Sequence, residues 1–497
     1  MLGKKAMLYR NNSKILWLIV LTLLCSLFFI LRATGPTDLE GYAQHRNVGY
    51  IMDLMVNGNW LAQYDLTGAI TSKPPFHTWA MAVFTNLFGV SRTALILPSF
   101  LAILGLTTII FFKGRRYFGT FTGGIAGTFF ILAPMTSKHI ALVRPDAIFA
   151  LSIAACAFIA FRAWQTGKGW NWFWLVAAVV TLTKGPLGIV LAASGLLAYF
   201  WEKHNKRENI PAMKGSHAWG LVIFFGICLG WFLLAWYQHG QVLTDKLIID
   251  ELFGQAAGAG KDTMPGSNLP KPTMYFLSRF APFSLLTFIG LWRVFKQPEK
   301  SPEKRRFERF LTCWLLFGII AFSLAAHHRA DLLFPLWPAG AILAGREAER
   351  LMQKMGKRCF SWCIAGIGIL LFTYAVWVYH PGVNRRADVI EQSQSVKGAA
   401  EALKESDVQL DRVYHVNTPV TLQMYLGTAR KVVDAEELEE NLQKENGETT
   451  PGYIAVQSKE KSSLPFAEEY LEEVFSWTRE EDEEPFLQVF KLPPDAF

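Results

Sequence analysis

Cysteine is sparse in this chain and has no useful pattern. Cys25, Cys156, Cys228 and Cys313 lie in apolar runs, and Cys359 and Cys363 sit one helical turn apart. That excludes a disulfide framework and a cysteine zinc site, and all six read as buried thiols. Internal repeats are absent, which removes the paired halves expected of many transporters. Charge is also low, with Asp, Glu, Lys and Arg together only 18% of 497 residues, whereas hydrophobic residues make up 51% and include 38 Phe and 17 Trp. This exceeds what one soluble core needs and suits a protein whose solvent is partly lipid. The fold class expected is an α-helical polytopic membrane protein.

The net charge of +8 conceals a split. Residues 381–497 carry 24 acidic and 12 basic side chains, and the first 380 carry 17 acidic and 37 basic ones. A basic membrane part follows from cytoplasmic loops rich in Lys and Arg and requires no nucleic acid as partner. Apolar stretches at 15–32, 93–112, 118–137, 147–164, 170–183, 186–201, 217–237, 273–292, 309–326, 331–345 and 360–379 read as about eleven transmembrane helices. Lys4, Lys5, Arg10 and Lys14 precede the first, which is expected to be a retained anchor running outwards from the cytoplasm. Every second loop is then strongly basic: Lys113 to Arg116, Arg162 with Lys168, Lys203 to Arg207, Lys296 to Arg309, and Arg346 to Arg358. Phe76 to Phe88 is apolar but too short to span, and counting it would invert that alternation, so it reads as an interfacial helix on the outer face.

The outer side collects the loop from Arg32 to Pro75, turns at Arg144 and Lys184, the loop from Gln238 to Lys271, and His327 to Arg329. Charges held beside a bilayer mark places where a polar substrate meets the membrane, because leaving them unpaired near hydrocarbon is costly. Lys73 precedes two prolines, which fix the backbone and hold its ammonium at a defined depth, where it suits a lipid phosphate; a snorkelling structural lysine is the alternative. Arg144-Pro145-Asp146 is either an ion pair orienting a loop or an Arg gripping phosphate while Asp146 orients it. Lys184-Gly185-Pro186 ends one apolar run and opens another, as expected where the backbone must turn tightly. Asp38 and Glu40, followed by Tyr42, His45 and Arg46, place carboxylates close to the first helix. Such a carboxylate suits a general base, although Asp38 equally suits a helix cap.

After His380 the composition becomes soluble in type. A helix at 387–405, a strand at 412–416, a helix at 419–426, a strand at 430–433, a Glu-rich helix to Lys444, and strands at 453–456, 474–478 and 486–491 suggest a small C-terminal α/β domain outside the membrane. Two domains are expected, 1–380 and 381–497. The second has no Gly-rich phosphate loop and no His/Cys cluster, which favours a solubilising or acceptor-guiding cap.

Taken in order, the motifs resemble a known family. Gly58-Asn59-Trp60 leads to Lys73-Pro74-Pro75, followed by Gly114 to Gly119, Arg144-Pro145-Asp146, Thr183-Lys184-Gly185-Pro186, Asp250-Glu251 and Leu333 to Ala339. This set resembles the GT-C membrane glycosyltransferases that use polyprenyl-phosphate sugars, close in pattern to bacterial protein mannosyltransferase-like enzymes and the lipid A aminoarabinose transferase. The resemblance implies a plasma (inner) membrane enzyme with a cytoplasmic N-terminus and a periplasmic C-terminal domain. It would move a sugar, with inversion, from a polyprenyl monophosphate carrier to a periplasmic glycolipid, glycan or protein. Asp38 or Glu40 would be the catalytic base. Lys73, Arg144, Lys184 and Arg329 would bind the donor phosphate, and Asp146, Asp250, Glu251, His328 and Tyr42 would orient substrate. No metal or other cofactor is required if cations already surround the phosphate. The chain departs from the family where Asp38-Leu39-Glu40 replaces adjacent Asp-Glu, Ser72 replaces an acidic residue, Gln255 an arginine, and His328-Arg329 a lysine. A multi-helix transporter or flippase of lipid-linked or small polar solutes is the alternative.

Overall fold

The computed structural model describes residues 2–35, 39, 41–205, 210–254, 266, 268–326, 328–380, 387–434, 436–438, 440, 452–457, 464, 471–479 and 482–491. The chain packs as two units. One holds residues 1–34, 72–77 and 96–383, and the other holds 35–71, 78–95 and 384–497.

The first unit is helical throughout and is that of a multi-pass membrane protein. Among the described residues, Ser13–Ala33, Arg92–Phe118, Asp146–Thr166, Ala218–His239, Pro302–Leu324 and Lys357–Tyr379 are long and apolar enough to cross a bilayer. Lys271–Arg279 and Phe283–Lys296 make a further crossing if counted together, bent by 119°. The other expected spans are helical but shorter: Thr120–Leu132, Trp170–Lys184, Leu187–Ser194 and Leu197–His204. Their ends follow from the local sequence. Pro134 and Pro186 cannot continue a helical ladder, and Gly185 leaves the helix with φ 103°, a conformation that disfavours a side chain. The stretch expected as one helix over 331–345 is instead a 3-10 turn, Ala330–Leu336, followed by the helix Trp337–Met355. Pro335 lies in the turn and Pro338 in the first helical turn, where a missing N–H is tolerated.

Lipid tails are as apolar as leucine, so these helices associate by close packing. A side chain on Gly345 would meet Ala126 Cβ and the Thr122 carbonyl at 2.8 Å, which is how the helix Trp337–Met355 approaches Thr120–Leu132 so closely. Aromatic rings fill the remaining space, with Tyr117 stacked on Phe307 at 3.9 Å and Phe276 and Phe280 edge-on to Trp337. Residues in or beside three of the basic segments expected to be cytoplasmic meet in two sets of buried ion pairs. Glu202 takes Arg305 at 3.2 Å and Arg309 at 2.9 Å, Glu308 pairs with Arg346, and Glu347 binds Arg346, Arg350 and Arg293. Of the six cysteines expected to be buried, Cys25 and Cys156 are, Cys228 and Cys313 are only half-buried, and Cys359 and Cys363 are exposed on the helix Lys357–Tyr379, which packs against little protein.

In the second unit the helix Phe76–Phe88 has the bounds read from the sequence, and its residues from 78 onward pack here. The C-terminal part follows its expected pattern closely. Helices Ala387–Glu405 and Val420–Leu426 accompany strands β1 (Val413–Val416), β2 (Val432–Val433), β3 (Tyr453–Gln457), β4 (Glu472–Trp477) and β5 (Leu487–Lys491). The sheet order is β2-β1-β3-β5-β4, with β1 parallel to β2 and β3, and β5 antiparallel to β3 and β4. Alternating side chains feed two cores, one around Leu403, Val413 and Val489, the other around Val416, Ile454 and Val456. The Glu-rich helix was expected to reach Lys444; everything past residue 440 of it lies outside the described residues.

Residues 35–71, assigned by sequence to the membrane part, pack with this domain. Val432 N–H donates to the Leu66 carbonyl at 2.6 Å, and Asn57 Nδ2 donates to the Ala429 carbonyl at 3.1 Å. Asp53, 5% exposed, holds the intervening loop by accepting from Asn57, Asn59 and the Tyr64 amide.

Candidate active site

Within the first unit, segments remote in sequence place charged side chains against one another. Asp146 begins the helix Asp146–Thr166, where a carboxylate is favoured by the helix dipole. It is 2% exposed and ion-paired on both sides, with Lys184 Nζ at 2.6 Å and Arg144 Nε at 3.1 Å. Lys184 is the last residue of the helix Trp170–Lys184, and its ammonium also lies 5.5 Å from the centroid of Phe149. Arg144 reaches in a second direction, to Asp331 Oδ2 at 3.3 Å. Asp331 in turn takes Lys138 at 2.8 Å, His139 at 3.2 Å and Arg329 at 3.5 Å. Lys73, held by the following prolines, pairs with Glu251 on the π-helical segment Asp245–Gly254. Four residues further, His77 is fully buried and hydrogen-bonds the main chain of Arg144, which ties the Lys-Pro-Pro segment to the Arg-Pro-Asp turn.

Among the described residues, the ion pairs of Lys73, Lys138, Arg144, Lys184 and Arg329 run to Asp146, Glu251 and Asp331. Positive charge thus outnumbers negative within this set of side chains. The histidines do not add to it: burial pushes the His77 imidazole down to about 4, more than the Asp146 charge can offset, and burial likewise lowers His139 despite its bond to Asp331. The arrangement is a cation-rich, partly buried cluster, and the chemistry of such a cluster suits a dianion or a phosphodiester. Among the described residues no group of three or more His, Cys, Asp or Glu is arranged to hold a metal ion.

The sequence-predicted residues divide accordingly. Arg144, Asp146, Lys184 and Arg329 join one network, and Lys73 and Glu251 form the adjoining pair. Asp250 does not join them; it pairs with Lys246 at 3.2 Å one helical turn away and is more than half exposed. Tyr42 opens the helix Tyr42–Asn57 of the other unit, is 65% exposed, and stands under the Arg46 guanidinium. His328 is half-buried, and its Nε2 has no hydrogen-bond partner among the described residues. Asp38 and Glu40 lie outside the described residues. Sequence reasoning missed Asp331, Lys138, His139 and His77. Asp331 follows Arg329 by two residues in the same outer segment, which was a usable signal; Lys138-His139 and His77 were hidden in apolar surroundings.

The helical unit followed by a small mixed sheet is the GT-C architecture. Over 96% of this chain and 97% of the other, the structure superposes on ArnT from Cupriavidus metallidurans bound to undecaprenyl phosphate, with a TM-score of 0.70 and 18% identity. Residues 72–233, from Ser72 through the helix Ala218–His239, match the dolichyl-phosphate-mannose-protein mannosyltransferase family model. A protein of Aquifex aeolicus is 25% identical over 324 residues, which cover 62% of this chain and 59% of that one. The chain thus spans less than two thirds of that relative. The undecaprenyl phosphate-alpha-4-amino-4-deoxy-L-arabinose arabinosyl transferase of Erwinia tasmaniensis is 21% identical over 388 residues, 72% of this chain and 66% of that enzyme.

Proposed function

We propose that this protein is a membrane glycosyltransferase that moves a sugar from a polyprenyl monophosphate carrier to an acceptor at the outer face of a bacterial inner membrane. The observation that carries the reading is the gathering of Lys73, Arg144, Lys184 and Arg329, from segments remote in sequence, onto the carboxylates Asp146, Glu251 and Asp331. A sugar phosphodiester brings one negative charge, and a departing carrier phosphate brings close to two. Cations already fixed by Asp146, Asp331 and Glu251 therefore interact more strongly with the leaving group than with the substrate, which lowers the barrier. Pairing matters as much as charge, because Asp146 and Asp331 hold Arg144 from two sides and stop it from folding back into water.

Lys73, Arg144, Lys184 and Arg329 are the phosphate ligands in this reading, with Asp146 and Glu251 as their orienting carboxylates. Asp38 or Glu40 takes the proton of the acceptor hydroxyl or amine as it attacks the anomeric carbon from the face opposite the phosphate, giving inversion. His328 orients the acceptor side, and no metal takes part. The N-terminus is cytoplasmic, and residues 381–497 form a periplasmic cap that guides the acceptor, a lipid A-like glycolipid, glycan or protein. The family model and the arabinosyl transferase likeness support a lipid-phosphate donor over a transporter.

The test is to purify the full chain in mild detergent and identify bound lipids by mass spectrometry, comparing wild type with Lys73→Ala. A polyprenyl monophosphate, bare or glycosylated, that is present in wild type and depleted at least tenfold in the variant is the expected result. Bulk phospholipid alone in both would overturn the proposal.

A further inference from the structure

His77 is not accounted for by the charge network. It is 4% exposed, and its Nε2 is fully buried with no hydrogen-bond partner among the described residues. The ring's bond to the Arg144 main chain favours the protonated form, so the ring donates in it and a carbonyl accepts. With Nε2 unpartnered, that bond runs through Nδ1, which therefore carries the proton and leaves a lone pair on Nε2. A buried acceptor without a partner is costly and calls for a group to fill it. On the same segment Ser72 Oγ is also buried without a partner among the described residues, as is Thr136 Oγ1 one turn from His139.

The chemistry of Nε2 selects what fills that place. A phosphate oxygen accepts hydrogen bonds and cannot serve a lone pair. Protonating the ring to suit a phosphate is opposed by burial and by the Arg144 and Lys184 charges. An ammonium would meet those same cations. A neutral hydroxyl, of a ligand or of water, meets none of these objections, and the unpartnered Ser72 hydroxyl on the same segment suits a polyhydroxylated ligand. Resting on the lipid-linked donor reading above, we propose that His77 is a specificity-determining residue of the donor sugar subsite, its Nε2 accepting a hydrogen bond from a hydroxyl of the transferred sugar.

The experiment measures affinities of the detergent-solubilised full chain for undecaprenyl phosphate and for the same carrier bearing mannose, glucose or 4-amino-4-deoxyarabinose. At least one glycosylated carrier should bind wild type more tightly than the bare carrier. His77→Phe should reduce that preference, taken as the ratio of glycosylated-carrier to bare-carrier affinity, about tenfold, and His77→Gln, whose amide oxygen can replace Nε2, should retain most of it. Equal loss for bare and glycosylated carriers would assign His77 to phosphate binding or packing and overturn the proposal, as would no loss at all. Should His77→Phe not fold, monodeoxy analogues of the preferred sugar on wild type decide the matter. One position should lose about tenfold, and uniform affinity across all of them overturns the inference. Failure of wild type to bind even bare carrier would instead remove the donor reading, and this inference with it.

Discussion

Asp331 joins three cationic side chains and the His139 ring, and replacing it by Asn tests whether the cluster is held together by charge. Lys138 and Arg329 are 42% and 46% exposed, so each reaches water when the carboxylate is lost and contributes only about 0–1 kcal/mol. Arg144 is 13% exposed and His139 only 1%, so the cost falls mainly on them. Breaking a buried pair from one side costs about 3–5 kcal/mol, and because Asn keeps one acceptor oxygen the expected loss is about 2–4 kcal/mol. The comparison is best made as a double-mutant cycle with Arg144→Gln, following thermal unfolding of the full chain in detergent. Since the Arg144–Asp331 pair is already lost in either single variant, the coupling should be at least about 1 kcal/mol. Additivity within about 0.5 kcal/mol would show that Arg144 and Asp331 do not depend on each other and would refute the reasoning.

Glu202 has two arginines on one buried carboxylate, so Glu202→Ala should destabilise the helical unit by about 3–5 kcal/mol, read as a lowered melting temperature; a change under about 1 kcal/mol would contradict the burial argument. Gly49→Ala would drive its Cβ to 2.8 Å from the Leu66 amide nitrogen and 3.1 Å from Asp65 Cα, both main chain, and should loosen the loop over 58–71. Limited proteolysis of that loop should accelerate several-fold, and unchanged cleavage would argue against the contact. His415 is buried in β1, and burial, then Arg430, depresses its imidazole to about 3. Between about pH 6.5 and 3 the unfolded chain thus binds a proton that the folded domain refuses, and stability falls as pH falls, by at most about 1.4 kcal/mol per unit. Hydrogen exchange of the β1 and β3 amides in the full chain should show that slope, and His415→Gln should flatten it. An equal slope in both would place the acid sensitivity elsewhere.

Much of the helical architecture was legible because a bilayer makes it so. Hydrocarbon forces backbone groups to pair within each segment, so apolar length and the side on which Lys and Arg fall are nearly sufficient. Phe76–Phe88, too short to span, is found as a helix with those bounds, and the five C-terminal strands were legible for a different reason, their apolar side chains falling alternately into two buried cores. Sequence reading missed where apolar continuity hid a break: 186–201 divides at Gly195, and 273–292 bends between Arg279 and Phe283. The charged motifs marked Arg144, Asp146, Lys184 and Lys73 one by one, because each stands out against hydrocarbon. Their partners did not stand out. The pairing of Arg144 with Asp331, 187 residues apart, and of Lys73 with Glu251 depends on which helix ends adjoin, as do the burial of His77 and the pairing of Asp250 with Lys246 instead. Adjacency arises from glycine-mediated packing between remote helices, and an ion pair leaves no periodicity in a single chain. The sequence by itself thus determined which segments are helical and where the C-terminal strands lie, while only the tertiary structure decided which charges meet and which residues before the C-terminal sheet pack with it, because both are properties of distance and burial.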